Sequence, residues 1–328
     1  MVLPGGSEQT SSTALRQLAE HDALAVTLTG RTGPLAALDT GARAADGPGS
    51  LHGTVLMIAG YTGSKEDFAP LLGPLAQAGL RVVTLDQRGQ FESPGPDDPA
   101  AYTVTELAAD VLAVAAQLRD DASSPLHLVG HSFGGLVARA AVLADPGAFT
   151  SLTLLGSGPG RLTGPRADML DHLAPLMDAG GVQLVHETLE QLAMTDPRTQ
   201  LVPAPVRAFL ARRFLANNPA GLRGMADAML AEPDRVAELA ATGLPVLVAH
   251  GSADDAWTPA AQADMARRLG ARHEVVEGSV HSPAIEAPDR TRDLLLAFWT
   301  SVVSPDDARD ADGTDPAGVP GESVEADR

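Results

Sequence analysis

One turn constrains the fold of this chain more than any other stretch of its sequence. The apolar run at residues 126–129 is followed by Gly-His-Ser-Phe-Gly at 130–134 and then by apolar residues at helical spacing from 136 to 143. This pattern is typical of a buried strand that turns sharply into a helix. Such a turn strains its central residue and crowds the chain, so glycine is needed on both sides of Ser132. The serine hydroxyl is therefore expected to stand exposed at the edge of a sheet.

Strands and helices alternate along most of the chain. Two apolar segments, 23–28 and 34–38, predict a β-hairpin near the N-terminus. Further strand-length apolar runs lie at 54–59, 81–86, 151–155, 245–249 and 273–276, with helical patterns between most of them. This alternation predicts an α/β fold with a mainly parallel sheet flanked by helices. Ligands of such sheets bind at the carboxyl ends of the strands, where Ser132 is expected.

The segment 161–242 interrupts the alternation. It carries helical patterns at 169–177, 182–194, 206–216 and 222–230 without strands between them, which indicates an inserted helical block. We therefore expect a core formed by residues 21–160 and 243–303. Residues 1–20 are interpreted as a flexible N-terminal segment, and the acidic, Pro- and Gly-rich residues 304–328 as a disordered tail.

Composition excludes several classes of site and partner. The 328 residues include no cysteine, so disulfides, thiolate zinc sites and a cysteine nucleophile are ruled out. The formal net charge of -19 would repel nucleic acid and anionic membrane surfaces. The sequence has neither the pattern of a signal peptide nor a run of 18 apolar residues, so we expect no membrane span and a cytoplasmic protein.

Two further strand ends carry the partners that a serine nucleophile needs. Asp254 follows the strand at 245–249, and His281 follows the strand at 273–276. A serine hydroxyl is a poor nucleophile until a neutral imidazole takes its proton, and the imidazole needs a carboxylate to fix its tautomer and stabilise its charged form. The order Ser132, Asp254, His281 is the order that such a triad takes when the serine lies on this kind of turn.

These motifs resemble those of the α/β-hydrolase superfamily, in particular its capped esterases and lipase-like enzymes. The resemblance covers residues 51–303 and includes the 130–134 motif, the glycine-to-aspartate turn at 251–254, the late His281, and Asp-Gln-Arg-Gly at 86–89. It implies the α/β-hydrolase fold, with the inserted block as a helical cap over the active site.

The adjacent carboxylates Asp254 and Asp255 compete for the role of triad acid. In the family the acid usually stands three residues after the glycine, which here is Gly251 and favours Asp254. Asp255 fits better if the register is counted back from Pro259. We choose the glycine register and therefore Asp254.

The chain departs from the family pattern at two places. Where the family usually has His-Gly after its first long strand, this chain has Ala59-Gly60. The amide of Tyr61 is then the expected oxyanion donor, beside the amide of Phe133 at the helix N-terminus. The loop 89–93 lacks the second glycine that is common in the family. Neither departure removes a triad group.

Several other residues are assigned to a pocket or to the core. Gly60, His131 and Trp257 are candidates to line the pocket, and we expect His131 to pack or hydrogen-bond rather than to catalyse. His127 and His131 have the spacing of a helical metal pair, but a strand and a glycine separate them. We therefore expect them not to share a face, and we expect no metal site. His250 is interpreted as a hydrogen-bonded core histidine.

We expect a serine hydrolase that cleaves a carboxylic ester or related acyl substrate through an acyl-enzyme, without a cofactor. A serine argues against the haloalkane and epoxide hydrolysis that carboxylate nucleophiles perform on this fold. Apolar side chains at helical spacing in the insertion favour an apolar small-molecule substrate. Thioester, carbon–carbon bond or lactone hydrolysis, acyl transfer, perhydrolysis and a receptor function stay open as alternatives. The physiological substrate and the oligomeric state stay open as well.

Overall fold

The computed structural model describes residues 16–41, 51–119, 124–194 and 202–303. The predicted tail 304–328 and most of the predicted N-terminal segment 1–20 lie outside these described residues. Within the described part, one continuous sheet organises the chain.

Eight described strands form this sheet. Their bounds are β1 Leu24–Thr29, β2 Pro34–Asp39, β3 Thr54–Ile58, β4 Arg81–Leu85, β5 Leu126–His131, β6 Ser151–Leu155, β7 Val246–Gly251 and β8 Arg272–Val276. Their spatial order is β1-β2-β4-β3-β5-β6-β7-β8. The hairpin of β1 and β2 is antiparallel, as is the β2–β4 pair, and all other pairs are parallel. The predicted hairpin and mainly parallel sheet are confirmed.

The burial of each strand explains its sequence pattern. Every residue of β3, β5 and β6 is buried, because helices cover both faces of the sheet centre. The edge strand β1 instead alternates between exposed and half-buried side chains over most of its length. The continuous apolar runs thus mark the central strands, at whose ends the candidate site residues lie.

Ten α-helices fall within the described residues. Their bounds are α1 Ala69–Gln77, α2 Val104–Leu118, α3 Phe133–Ala144, α4 Pro165–Met194, α5 Ala204–Leu215, α6 Pro219–Ala231, α7 Val236–Ala241, α8 Pro259–Leu269, α9 Pro283–Glu286 and α10 Pro288–Val303. Helices α2, α3 and α8 contribute buried side chains to the apolar core on one face of the sheet, and α1 and α10 to that on the other. None of the described helices combines the length and apolarity needed to cross a bilayer.

Helices α4 to α7 lie between β6 and β7, where the sequence predicts a helical insertion. The predicted helices 169–177 and 182–194 both lie in α4, which is interrupted at Gly181 by a φ of 64°. The short α7 was not predicted. The domain limits at residues 161 and 242 stay predictions.

Capping residues set the start of α8 and hence the length of the loop that holds Asp254. The Thr258 hydroxyl accepts a hydrogen bond from the Ala261 amide at 3.2 Å, and Pro259 is the first helical residue. Gly270 ends the helix with a left-handed φ of 62°. The loop therefore ends at Thr258, immediately before Pro259.

Candidate active site

The turn after β5 holds Ser132 in a strained conformation. Its φ is 55° and its ψ is -123°, a combination that residues with a Cβ rarely adopt. A Cβ at position 130 would lie 2.4 Å from the Gly134 oxygen, and one at position 134 would lie 2.5 Å from the oxygens of Ile58 and Ala59. Glycine is therefore needed on both sides of the serine, as the sequence predicts.

His281 lies between Ser132 and Asp254. Its Nε2 is 3.0 Å from the serine Oγ, and its Nδ1 is 3.0 Å from Asp254 Oδ1. An ionised carboxylate can only accept, so Nδ1 carries the proton and the Nε2 lone pair is directed at the serine hydroxyl. All three residues are buried, so the expectation that the serine hydroxyl stands exposed at the sheet edge is wrong, because Ser132 lines an interior cavity instead. The fold thus brings together one linear chain of hydrogen-bonding groups.

The two adjacent aspartates have opposite surroundings. Asp254 is buried, and beside His281 it accepts hydrogen bonds from the Ala256 amide and from Gln262 Nε2, both at 2.9 Å. Asp255 is exposed and forms an ion pair of 2.6 Å with Arg166 of α4. The structure therefore places Asp254 against the imidazole.

Asp254, Asp255 and His281 also offer possible metal-ligand atoms within 4.8 Å of one another. These groups already form hydrogen bonds or an ion pair with one another or with neighbouring residues. The imidazole nitrogens bond to Ser132 and Asp254, and the Asp255 carboxylate pairs with Arg166. Hydrogen bonding accounts for the cluster, so we propose no metal site there.

A tight turn after β3 brings Gly60 beside the serine. The amide of Gly63 donates to the Gly60 oxygen at 3.0 Å, and Thr62 has a φ of 59°. A Cβ on Gly60 would lie 2.9 Å from the Ser132 Cβ, so only glycine allows this approach. Across the site, Phe133 begins α3, where helix amides lack partners within the helix.

His127 and His131 lie on the same strand but serve different contacts. His127 Nδ1 is 2.8 Å from Ser151 Oγ, and its ring stacks on Trp299 at 5.3 Å. His131 Nε2 is 2.8 Å from the backbone oxygen of His281. Burial lowers the pKa of each imidazole to about 4, so both are neutral near pH 7.

The expectation that these two histidines do not share a face is wrong, because both lie in the strand β5. Strand side chains alternate, so residues 127 and 131 of β5 point to the same face. They are nevertheless separated by about 13 Å at 3.3 Å per residue, too far to share an ion.

His250 is buried at the end of β7, as expected. Its Nδ1 is 2.9 Å from the Gly251 oxygen and its Nε2 is 2.9 Å from His273 Nε2. Both nitrogens therefore have partners, and neither partner is Ser132, Asp254 or His281.

A cavity of about 650 Å³ extends from Ser132 and His281 to the inserted helices. Gly60, His131 and Trp257 all line it. The insertion contributes mainly apolar side chains to its wall, among them Leu170, Leu173, Met177, Leu222, Met229 and Leu230.

The charged groups of the cavity wall are largely paired. Arg213 forms an ion pair with Asp67 at 2.6 Å, and Arg223 pairs with Asp227 at 3.1 Å. Burial raises the pKa of the Tyr61 phenol, so its hydroxyl stays neutral.

Sequence reasoning missed the residues that hold the candidate site residues in place. Gln262 donates to Asp254 Oδ2, and Glu286 accepts from the Ser279 hydroxyl at 2.6 Å and the Ser282 amide at 3.2 Å, which fixes the loop around His281. Glu286 could have been found from its position four residues after Ser282, which precedes the helix α9. This spacing is only a weak signal. No local signal marks Gln262.

A sequence model of the alpha/beta hydrolase family matches residues 51–294. The pimeloyl-[acyl-carrier protein] methyl ester esterase of Aeromonas hydrophila is 28% identical over 234 residues, which are 69% of this chain and 87% of that protein. The protein RutD of Variovorax paradoxus is 40% identical over 104 residues, only 31% of this chain and 37% of that protein.

Solved structures agree on the fold. An enol-lactonase of Burkholderia xenovorans superposes with a TM-score of 0.67 at 21% identity, covering 84% of this chain and 100% of that one. A structure from a study of carboxylesterases of Nitrososphaera gargenis superposes with a TM-score of 0.69 at 18% identity, covering 85% and 100%. At these identities the likeness concerns the fold alone, and it confirms the predicted fold class.

Proposed function

The chain belongs to the alpha/beta hydrolase family, and we propose that it is a serine hydrolase that cleaves carboxylic esters or related acyl substrates. The observation that carries this proposal is the hydrogen-bonded chain from Ser132 through His281 to Asp254, with both links at 3.0 Å. A nucleophile, a base and a group that orients the base are the minimum set for acyl transfer.

In the proposed mechanism His281 acts as general base. Its Nε2 takes the proton of the Ser132 hydroxyl while Oγ forms a bond to the substrate carbonyl carbon, and the carbonyl electron pair moves to oxygen. Asp254 keeps Nδ1 protonated and stabilises the imidazolium that forms. The oxyanion then re-forms the carbonyl as the ester C–O bond breaks, and the imidazolium protonates the departing oxygen, so that the alcohol is released and the acyl group stays on Ser132. Water repeats the sequence and releases the acid.

The negative oxygen of the intermediate needs donors that are already in place. We assign the amides of Tyr61 and Phe133 to this role. Support comes from Gly60, which packs against Ser132, and from the position of Phe133 at the start of α3. Donors of this kind act most strongly on charge that develops in the transition state.

The substrate that fits best is an uncharged ester with an apolar portion. The aliphatic side chains of the insertion and the paired charges of the cavity wall support this assignment. The esterase of Aeromonas hydrophila described above acts, by its name, on a methyl ester, and we extend only the ester class to this chain.

The proposal is tested by replacing the nucleophile. Ser132→Ala should lower kcat on p-nitrophenyl esters by about three orders of magnitude or more, while the protein stays folded. An alkyl fluorophosphonate should add one phosphonyl group to the wild type and none to Ser132→Ala. The matched control is Ser157→Ala, which removes a buried hydroxyl outside the cavity and should leave both readings unchanged.

Two results would overturn the proposal. Unchanged turnover in Ser132→Ala would remove the nucleophile from the mechanism. A wild type that binds apolar esters tightly but neither hydrolyses them nor reacts with the fluorophosphonate would instead be a receptor.

A further inference from the structure

The peptide between Gly60 and Tyr61 is held from its carbonyl side. The Gly60 oxygen accepts one hydrogen bond from the Gly63 amide at 3.0 Å and a second from Gln90 Nε2 at 2.8 Å. A peptide group is planar and trans, so its C=O and N–H point in opposite directions. Whatever fixes the Gly60 oxygen therefore also fixes the direction of the Tyr61 N–H.

Gln90 is fully buried, and its orientation is determined by its partner. Only the NH₂ side of the amide can face a carbonyl oxygen, because two acceptors repel each other. Its Oε1 has no hydrogen-bond partner among the described residues. Leaving such an acceptor unpaired costs about 1–3 kcal/mol, so the side chain is poorly explained by stability alone.

Gln87 makes the same kind of contact one peptide earlier. Its Nε2 donates to the Ala59 oxygen at 2.9 Å, it is buried, and its Oε1 also lacks a partner in the described structure. The peptide that it holds carries the amide of Gly60, not that of Tyr61. The two glutamines are thus alike in type, burial and contact, and differ in which amide they orient.

We propose that Gln90 is a positioning residue that aims the Tyr61 amide at the oxyanion formed on Ser132. This proposal rests on the proposed function. A hydrogen bond to the Gly60 oxygen also polarises the peptide and strengthens its N–H as a donor. In this chain Ala59 contributes no side-chain donor at the turn, so Gln90 and the Gly63 amide hold the peptide.

By aiming the Tyr61 amide, Gln90 should stabilise the transition state more than it stabilises the bound substrate. The substrate carbonyl carries little charge in the ground state, so a misaimed amide should lower kcat and leave KM nearly constant. Loss of a whole oxyanion donor costs about 10²–10³-fold in kcat. Loss of its aim should cost part of that, about 10- to 100-fold.

The test compares Gln90→Met with Gln87→Met, two replacements of similar size that remove the donor. We expect Gln90→Met to lose about 10- to 100-fold in kcat with KM within about twofold, and Gln87→Met to stay within about threefold of wild type. Affinity for an alkyl boronic acid, which forms a tetrahedral adduct with a reactive serine, should fall by the same factor as kcat. A structural role alone would instead lower Tm and activity in parallel in both variants.

Gln90→Glu keeps the test decisive if Gln90→Met does not fold. A protonated carboxyl can donate to the Gly60 oxygen and a carboxylate cannot. The kcat of Gln90→Glu relative to wild type should therefore fall as pH rises through the pKa of the new carboxyl. A relative kcat that does not vary with pH would overturn the proposal.

The experiment distinguishes failure of the positioning role of Gln90 from failure of the proposed function. If the wild type reacts with the fluorophosphonate and turns over esters, but Gln90→Met keeps full kcat or Gln87→Met loses as much, only the positioning role fails. If the wild type shows neither labelling nor turnover, the serine hydrolase proposal itself fails.

Discussion

At the scale of single residues, neighbours in sequence acquire different chemistry from their contacts. Asp254 and Asp255 are identical in type and adjacent, yet one is buried against His281 and the other is exposed beside Arg166. An imidazole that becomes charged during catalysis is stabilised only by the carboxylate that it contacts. The glycine register favours Asp254 in the sequence, and the contacts of the folded chain support the same assignment.

We predict that Asp254→Asn lowers kcat by at least about 100-fold, because the amide keeps the shape but loses the charge and favours the wrong tautomer of His281. The same change at the corresponding position of a well-studied serine protease costs about 10⁴-fold. Asp255→Asn, the matched control, should cost less than about tenfold. Steady-state kinetics on one ester checks both variants, and the reverse ranking would assign the acid to Asp255.

At the scale of elements, helix α3 both starts at the serine and secures the insertion. Arg139 of α3 is buried and forms an ion pair of 2.9 Å with Glu232, which follows α6. The same guanidinium donates to the backbone oxygens of Gly158, Pro159 and Pro233. Burial lowers the pKa of Arg139, and the neighbouring Glu232 carboxylate opposes that shift. Because Arg139 lies in α3 and Glu232 follows α6, their ion pair connects the inserted helices to the core.

Removing the counter-ion should therefore destabilise the protein. Glu232→Gln leaves the buried Arg139 guanidinium without its ion-pair partner, and breaking such a pair costs about 3 kcal/mol. Glu238→Gln in α7 breaks an exposed ion pair with Arg235 and should leave Tm unchanged. Thermal unfolding measures the Tm of both variants, and we expect a lower Tm for Glu232→Gln than for Glu238→Gln. Equal Tm values would show that the buried ion pair does not secure the insertion.

At the scale of the whole molecule, neutral buried histidines make stability depend on pH. His127 and His131 each have a pKa of about 4 in the fold, below the ordinary value of 6.5. Between these values the unfolded chain binds protons that the folded chain does not, so acid favours unfolding. Stability from this source is present above pH 6.5 and is lost as pH falls toward 4.

We predict that the free energy of unfolding drops by about 2 kcal/mol between pH 7 and pH 5 through His127 alone. The comparison with His127→Gln isolates this contribution, because both proteins share every other titrating group. Urea unfolding at the two pH values should show a smaller drop in the variant by about that amount. Equal drops in the two proteins would mean that His127 is not held neutral in the fold.

Features of the fold that depend on local patterns can be predicted from the amino-acid sequence alone. Buried strands need apolar runs, a sharp strand-to-helix turn needs glycines around Ser132, and strand ends in a parallel sheet share one edge. These rules predicted the sheet, the helical insertion and the positions of the Ser132, Asp254 and His281 loops. The family register favours Asp254 over Asp255, and the alternation of side chains along a strand puts His127 and His131 on one face, contrary to the expectation.

Contacts between polar side chains that are distant in sequence become visible only in the folded chain. Gln262 against Asp254, Gln90 against the Gly60 oxygen and Arg139 against Glu232 join positions that are 8, 30 and 93 residues apart. No local periodicity records such pairs, since each depends on strand order and on how neighbouring loops fill the same space. A buried polar group needs a hydrogen-bond partner. Such a partner comes within reach only when folding brings distant segments of the chain together.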